Sequence, residues 1–179
     1  FADPSVFAVG CLEKSKEGEK IVLRGRGEAA WKRGFFVHWR GDVRHRDTAW
    51  VSGGSGAFRK SIWDMLGGMD PLFNPFYWED IDISYRAKKA GYRLVFEPKS
   101  VVRHFHDEGA ILSSFDKTHV SRIAYRNQFI FIWKNISDPM FLLAHMIWTP
   151  LRLAQAGLRR DYSMIAGYGA ALWRLPAIL

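Results

Sequence analysis

The chain has 179 residues, of which 48% are hydrophobic and 25% are charged. This composition is typical of one folded domain with a real core and excludes a disordered chain. The net charge of +8 indicates an anionic partner, for which nucleic acid, acidic lipid headgroups and a nucleotide diphosphate are candidates. The single cysteine, Cys11, excludes an internal disulfide, fits a reducing compartment and is predicted to be a small buried side chain.

The first fifty residues predict short strands and a long loop. The apolar run VFAVG predicts a buried strand, EKSKEGEK after it a polar turn, and IVLRG a second strand. Between Gly25 and Asp47, basic, glycine and aromatic residues follow no steady period. This segment therefore predicts a long loop containing one strand at FFVHW, and loops of this length are often functional.

Residues 48 to 105 predict an α/β arrangement. The sequence TAWVSGG predicts a strand that enters a glycine turn, and a short helix is expected from about Ser61 to Gly67 and Gly68. A second helix is expected from Asp80 to Ala90, followed by two strands that Pro98 separates. Strands that alternate with helices in this way are typical of α/β folds.

The remaining residues predict helices at about 114–136, 139–157 and 160–175, with breaks at Pro139 and Gly157. The apolar stretch PMFLLAHMIWTPLRL is too short to cross a bilayer, which takes about 20 apolar residues. It is typical of a helix in the bilayer interface, and ordinary packing explains it equally well. The predicted domains are residues 1–112 and a helical extension over residues 113–179.

An acidic cluster, WEDIDISYR, opens the second predicted helix. Carboxylates in a first helical turn are stabilised by the helix dipole, by about 0.3–1 kcal/mol each, which is a purely structural explanation. Asp82 is four residues from Arg86, and the two are expected to pair along the helix surface. Glu79 and Asp80 follow FNPFYW, whose aromatic rings are costly on a surface unless a ligand covers them. Aromatic rings beside carboxylates are typical of sugar sites.

Two other motifs are candidates for ligand contact. Gly53, Gly54 and Gly56 in VSGGSGAFRK allow a ligand to approach the backbone, or a positive φ, although a plain tight turn explains them equally well. They match neither the dinucleotide fingerprint nor the P-loop. His104 and His106 lie on one side of a predicted strand, where they suit either a divalent ion or a partly buried polar surface.

Taken in order, SGGSGAFRKS and LGGMDPLFNPFYWEDIDISYRAKKAGYRLVFEPKSVVRHFH resemble the family 2 glycosyltransferases, whose catalytic domain has the GT-A fold. The resemblance implies a partial GT-A, Rossmann-like α/β domain with a mixed sheet and helices, followed by an α-helical C-terminal extension. It also implies an inverting transfer of a sugar from a nucleotide-diphosphate donor to an acceptor hydroxyl.

The resemblance assigns roles to three polar side chains. Asp80 corresponds to the general base, which takes the proton of the acceptor hydroxyl. Glu79 corresponds to a residue that binds or orients acceptor hydroxyls. His104 falls where some members ligate the divalent metal, Mg²⁺ or Mn²⁺, that neutralises the leaving diphosphate.

The resemblance also implies substrate-binding residues. The turn of Gly53, Gly54 and Ser55 is similar to the segment that lines the acceptor and donor-sugar pocket. Trp78, with Tyr77 before it, resembles the aromatic residue next to the sugar. These five residues, together with the acids, are the predicted sugar site.

The sequence departs from the family in one respect, because the N-terminal nucleotide-binding half and its Asp-x-Asp motif are not in the chain. The chain also begins without methionine, so we expect a fragment that is inactive alone and is completed by a missing half or by a homo-oligomer. The extension resembles that of bacterial enzymes acting on lipid-linked or cell-envelope glycans, which implies peripheral membrane contact at the inner, cytoplasmic face of the membrane.

Two other function classes remain open at this point. A non-catalytic carbohydrate- or membrane-binding module would use the aromatic loop and the basic helices without chemistry. RNA binding would use the positive charge, but the sequence shows no recognisable RNA-binding motif, and no nucleic-acid partner is predicted.

Overall fold

The structure, a computed structural model, describes residues 1–105 and 114–178. Within these ranges the strands are β1 (Val6–Glu17), β2 (Lys20–Arg24), β3 (Gly27–Lys32), β4 (Phe35–Arg40), β5 (Gly56–Phe58) and β6 (Arg93–Phe105). The α-helices are α1 (Lys60–Met65), α2 (Glu79–Lys89), α3 (Lys117–Asn135), α4 (Pro139–Leu158) and α5 (Tyr162–Leu172). Short 3-10 helices cover Pro71–Phe73 and Leu175–Ala177.

The chain forms two compact units, each assembled from segments that are separate in sequence. Unit 1 consists of Phe1–Ala29, His38–Asp70, and α2 with β6. Unit 2 consists of Ala30–Val37, Pro71–Trp78, and the helices α3 to α5. The functional boundary expected between residues 112 and 113 lies outside the described residues and stays a prediction.

Unit 1 is built on a mixed sheet with β1 at its centre. β1 pairs antiparallel with β2 and β5 and parallel with β6. Buried apolar side chains from β1, α1, α2, β6 and the segment before the glycine turn form one core cluster: Phe7, Ala8, Val51, Ile62, Ile83, Ala87 and Leu94. Full burial of a side chain such as Phe7 or Ile83 contributes about 1.5–3 kcal/mol. The mixed sheet with helices confirms the predicted fold class.

The strands of unit 1 differ from prediction in three places. β1 continues to Glu17, so the expected EKSKEGEK turn shrinks to the residues around Gly18, because this half of β1 is hydrogen-bonded to β2. β6 runs through Pro98, and the pairing register with β1 jumps from Glu97 to Val101, so the proline sits in an irregularity. The strand expected before the glycine turn is absent from the described residues, and β5 follows the turn instead.

The long loop expected between Gly25 and Asp47 contains a hairpin. Its second strand, β4, confirms the strand predicted at FFVHW, whereas β3 was not predicted. The two strands are joined by Arg33 and Gly34, whose φ angles of 48° and 74° suit a two-residue hairpin turn. Cys11 is only half-buried, so the prediction that it is a buried side chain is wrong.

The helices of unit 2 confirm the predicted positions, although α3 and α5 are shorter than predicted. Asp116 caps α3 by accepting the N–H of His119 at 2.9 Å, and Asp138 caps α4 in front of Pro139. Gly157 does not end α4, which continues to Leu158. Among the described residues, no helix combines the length and the apolar character needed to cross a membrane.

The core of unit 2 is centred on α3. Four consecutive side chains of this helix are buried: Phe129, Ile130, Phe131 and Ile132. A helix that is apolar on all sides requires neighbours on all sides. Gly167 of α5 lets that helix approach closely, because a Cβ there would lie 2.7 Å from the Cβ of Tyr125.

Candidate active site

The start of α2 brings two of the predicted motifs together in unit 1. The Asp80 carboxylate accepts hydrogen bonds from the backbone N–H of Ile81, at 2.8 Å, and from that of Gly53. One turn later, Ser84 Oγ accepts the N–H of Val51 at 3.1 Å. Because residues four apart lie on the same helix face, α2 holds the glycine turn at two points. The acid motif and the glycine turn therefore belong to one local structure.

The environment of Asp80 changes its acidity. Burial raises the pKa of Asp80 from 3.8 to about 6, and the negative charge of Glu79 adds to this rise. The N–H groups of Ile81 and Gly53 oppose it, because they stabilise the carboxylate. A carboxylate with this pKa is mostly ionised at neutral pH and is still a better base than an exposed aspartate.

Glu79 has unused hydrogen-bonding capacity. Burial raises the pKa of its carboxyl group. Its Oε2 atom is buried and has no hydrogen-bond partner within the described part of the chain. An unsatisfied buried polar atom costs about 1–3 kcal/mol, so a ligand hydroxyl donated to this oxygen would remove that cost.

In the glycine turn, Gly53 and Gly54 are exposed to solvent, whereas Ser55 is buried. Neither Gly53 nor Gly54 has a positive φ, so the expectation of that conformation is wrong for both. A Cβ on Gly54 would meet its nearest atom at an ordinary 3.9 Å, which leaves its backbone open to solvent. At Gly56, by contrast, a Cβ would lie 2.3 Å from Val51 Cγ1, so packing requires glycine there. Ser55 contributes its C=O, which accepts the Cys11 N–H at 3.1 Å.

Asp82 and Arg86 form the expected pair along the helix, but the Asp82 carboxylate lies in the protein interior rather than in solvent. The Asp82 side chain is 0% exposed, and Arg86 Nε lies 2.7 Å from its Oδ2. The same guanidinium donates to the C=O groups of Leu66 and Gly68 at the end of α1, at 2.5 and 2.6 Å. The pair is therefore an interior link between α2 and the end of α1.

The aromatic loop FNPFYW lies in unit 2, and most of its rings are buried. Phe73, Phe76 and Trp78 are core residues, and the Trp78 ring lies 5.2 Å from that of Phe131. The expectation that these rings form a surface feature is therefore wrong for all but Tyr77, which is 39% exposed. Tyr77 is the loop aromatic that remains accessible to a ligand.

Two consecutive polar residues of α3 hold this loop, and the sequence did not reveal them. Asn127 is fully buried, and its Nδ2 donates to the C=O groups of Phe73, Phe76 and Tyr77 at 2.7, 3.0 and 2.8 Å. Arg126 donates to the C=O of Asn74. The one signal in the sequence was an Arg-Asn pair shortly before the apolar run FIFIW of α3.

The predicted metal ligand cannot be assigned a position. The backbone of His104 pairs with Ser15 in the sheet, but its side chain and all of His106 lie outside the described residues. Within residues 1–105 and 114–178, no group of three His, Cys, Asp or Glu side chains is arranged to hold a metal ion. The described residues therefore do not form a metal site by themselves.

Comparisons with known proteins bear on the family and the fold of this chain. Residues 1–120 match the family described as glycosyltransferase-like family 2. Three uncharacterized proteins, one from Mycobacterium bovis and two from Mycobacterium tuberculosis, are each 34% identical over 65 residues, which is 35% of this chain and 25% of each relative. The chain thus spans about a quarter of the length of these curated relatives.

A solved structure, that of GalNAc-T7 with UDP, GalNAc and Mn²⁺, is similar to 74% of this chain with a TM-score of 0.52. The identity is 18%, and the similarity covers 27% of the GalNAc-T7 chain, so it bears on the fold alone. The family match covers well over half of the chain, and the fold agrees with it. The chain belongs to the glycosyltransferase family 2-like proteins and has the fold of a GT-A glycosyltransferase.

Proposed function

We propose that this chain carries the acceptor side of an inverting glycosyltransferase in which Asp80 is the general base. The Asp80 carboxylate takes the proton of the acceptor hydroxyl while the hydroxyl oxygen forms a bond to the anomeric carbon. The bond from that carbon to the donor diphosphate breaks, and the nucleoside diphosphate leaves with the electron pair. General-base catalysis of this kind contributes about 10²–10⁴ to the rate.

The observation that carries the proposal is the environment of Asp80. It lies at the first turn of α2, it is tied to the exposed glycine turn through Gly53, and its pKa of about 6 suits a base working near neutral pH. Glu79, with a buried oxygen that lacks a donor within the described residues, suits the binding of a second acceptor hydroxyl.

We assign the remaining predicted residues to substrate binding in different ways. The exposed backbone of Gly53 and Gly54 allows a sugar to approach closely. The exposed ring of Tyr77 is suited to stacking on a sugar face. Ser55 and Trp78 are buried, so their proposed contribution is to support the turn and the loop.

The donor and the metal are proposed on the family resemblance. GalNAc-T7 was solved with UDP, GalNAc and Mn²⁺, which is consistent with a nucleotide-sugar donor and a divalent metal, Mg²⁺ or Mn²⁺, here. His104 is the proposed metal ligand of this chain; its side chain lies outside the described residues, among which no group of three potential ligands is arranged to hold a metal ion. On the family resemblance, we also propose that this chain alone is inactive.

The acceptor is proposed to be a lipid-linked or cell-envelope glycan, used at the inner, cytoplasmic face of the membrane. Two features support a peripheral location there. The net charge is +8, which favours a surface of acidic headgroups. The helices of unit 2 expose large apolar side chains, several of them on α4.

The test is Asp80→Asn in the complete enzyme, with release of nucleoside diphosphate measured on a panel of nucleotide sugars and acceptor glycans. We expect turnover to be abolished and the fold to be kept. Asp64→Asn, an exposed aspartate on α1, is the matched control and should transfer normally. Near-normal transfer by Asp80→Asn would refute the assignment of Asp80 as the general base. Glycan binding by the wild type without any transfer would favour the non-catalytic module.

A further inference from the structure

We propose that the exposed face of α4, together with the turn between β3 and β4, is the surface through which this protein lies on an anionic lipid bilayer. The inference deepens the membrane location proposed above by naming the surface and its orientation. It concerns unit 2 alone, because the turn residues and α4 both belong to that unit.

The exposed face of α4 is apolar along its whole length. Large exposed apolar side chains follow at intervals of one, three, four or seven residues, which keep to one side of a helix with 3.6 residues per turn: Met140, Leu143, Met146, Ile147, Leu151 and Leu158. Their exposure reaches 54% for Ile147 and 88% for Leu158. From Met140 to Leu158 this face is about 27 Å long at 1.5 Å per residue. A continuous apolar face of this size is typical of an interaction site.

No charged side chain interrupts this face. Arg152 is the only Lys, Arg, Asp or Glu in α4, and its guanidinium lies over the Phe35 ring at 5.4 Å from the centroid. His145 and Thr149 point to the same interior side and are buried. The helix therefore separates a polar interior edge from an apolar exterior face, as an interfacial helix does.

The β3–β4 turn is fixed along one flank of α4. The Trp31 ring stacks on Phe141 with centroids 4.9 Å apart, and the Arg33 guanidinium lies over the Trp148 ring at 5.6 Å. Phe141 and Trp148 are seven residues apart and so lie on one side of the helix. The contacts place the exposed cations of Lys32 and Arg33 beside the apolar face.

A hydrogen bond also links the β3–β4 turn to α4. The Nε2 atom of His145 accepts from Trp133 Nε1 at 3.1 Å, so its Nδ1 is the nitrogen that donates to the C=O of Gly34, at 2.6 Å. Burial lowers the pKa of His145, which is consistent with this neutral form. The turn is thus held by three kinds of contact.

The positive charge of unit 2 favours a bilayer over a second copy of the chain as the partner of this face. Residues 114–178 contain eight Lys and Arg residues against three Asp residues, and Arg159 and Arg160 are exposed directly after α4. A second copy would bring the same cations to the contact, whereas acidic headgroups neutralise them. Basic residues near such a surface strengthen binding, and aromatic rings together with basic side chains favour the headgroup level.

The experiment measures binding of the complete enzyme to sedimenting vesicles of phosphatidylcholine, with and without phosphatidylglycerol, in the absence of nucleotide sugar. One variant, Ile147→Glu with Leu151→Glu, places charge on the apolar face. The other, Lys32→Glu with Arg33→Glu, reverses the charge of the turn. The matched control is Lys20→Glu with Ile21→Glu on β2, where Ile21 is 70% exposed in unit 1.

We expect the wild type and the control to bind the anionic vesicles, and both test variants to bind at least about tenfold more weakly, in line with the loss of more than one favourable contact. Weak binding to pure phosphatidylcholine is expected for all of them. The inference is overturned if the wild type does not bind, or if the variants bind as the wild type does. It is also overturned if light scattering shows a dimer that Ile147→Glu dissociates. None of these results depends on Asp80.

Discussion

Replacing Asp80 by Asn should stabilise the protein at neutral pH while it abolishes transfer. The pKa of Asp80 is raised from 3.8 to about 6, so the native state binds this proton more tightly than the unfolded chain does. Stability from this group is therefore greatest below pH 3.8, falls as the pH rises to about 6, and is constant above that. The difference corresponds to about 3 kcal/mol.

An asparagine side chain cannot ionise, so the variant avoids this cost, and its oxygen can still accept the N–H groups of Ile81 and Gly53. We therefore expect Asp80→Asn to be more stable than the wild type by up to about 3 kcal/mol at pH 7.5, and nearly equal to it at pH 4. A gain in stability with a loss of activity is typical of residues that serve function rather than folding.

The assay is urea unfolding followed by tryptophan fluorescence at several pH values between 4 and 8, with transfer measured on the same preparations. Asp64→Asn, whose aspartate is exposed on α1 and paired with Lys60, is the control and should change stability little. The reasoning fails if Asp80→Asn is less stable than the wild type at pH 7.5, or if its advantage is the same at every pH.

Four further predictions use the same proteins. Asp82→Ala removes a fully buried carboxylate and leaves the half-buried Arg86 guanidinium without it, and urea unfolding should show a loss of about 1.5–3 kcal/mol; no loss would contradict a stabilising pair. Asn127→Ala removes the amide that donates to three C=O groups of the aromatic loop and should cost about 2–4 kcal/mol; unchanged stability would contradict its role in holding the loop. The kcat/KM of the complete enzyme should fall as the pH drops below about 6, as Asp80 is protonated, and a flat profile down to pH 4.5 would exclude it as the base. Gly56→Ala should destabilise by about 1–3 kcal/mol, whereas Gly54→Ala should change stability little, and equal effects would contradict the packing at the turn.

The elements that the sequence predicted well have local causes. The ends of α1 and α2 were predicted from glycines, and Gly67, Gly68 and Gly91 all adopt the positive φ that ends a helix. The sequence GEAAWK of β3 has no alternation and few β-branched residues, so its pairing with β4 was not visible. Pro98 was expected to divide a strand, but pairing with β1 resumes beyond it.

The candidate site was predictable in the same local sense. Glu79 and Asp80 could be placed at a helix start because capping chemistry is encoded within a few residues. The contacts of Asn127 reach carbonyl groups 50 to 54 residues earlier in the chain, and no local pattern indicates such a partner. Tertiary packing likewise decided which loop rings are buried, and it left only Tyr77 exposed.

Two aspartates of α2, two residues apart, show how partners rather than burial alone set the role of a carboxylate. Asp82 is fully buried but faces the Arg86 guanidinium, so its charge is neutralised and it joins α2 to the end of α1. Asp80 meets backbone N–H groups and the like charge of Glu79, with no cation among the groups that shift its pKa, which is therefore raised. A cation beside Asp80 would stabilise its carboxylate and make it a weaker base. The groups that shift the pKa of Asp80 include no cation, which favours its proposed role as a base.

The backbone that leads into these acids is also under strain. Tyr77 and Trp78 both have positive φ, at 67° and 76°, which costs about 1–3 kcal/mol for each residue. The hydrogen bonds of Asn127 to the C=O groups of Phe76 and Tyr77 contribute about 1–3 kcal/mol together and offset part of that cost. Within unit 2, the strained end of the aromatic loop is thus held by Asn127, a fully buried side chain of α3 that lies 50 residues later in the sequence than Tyr77.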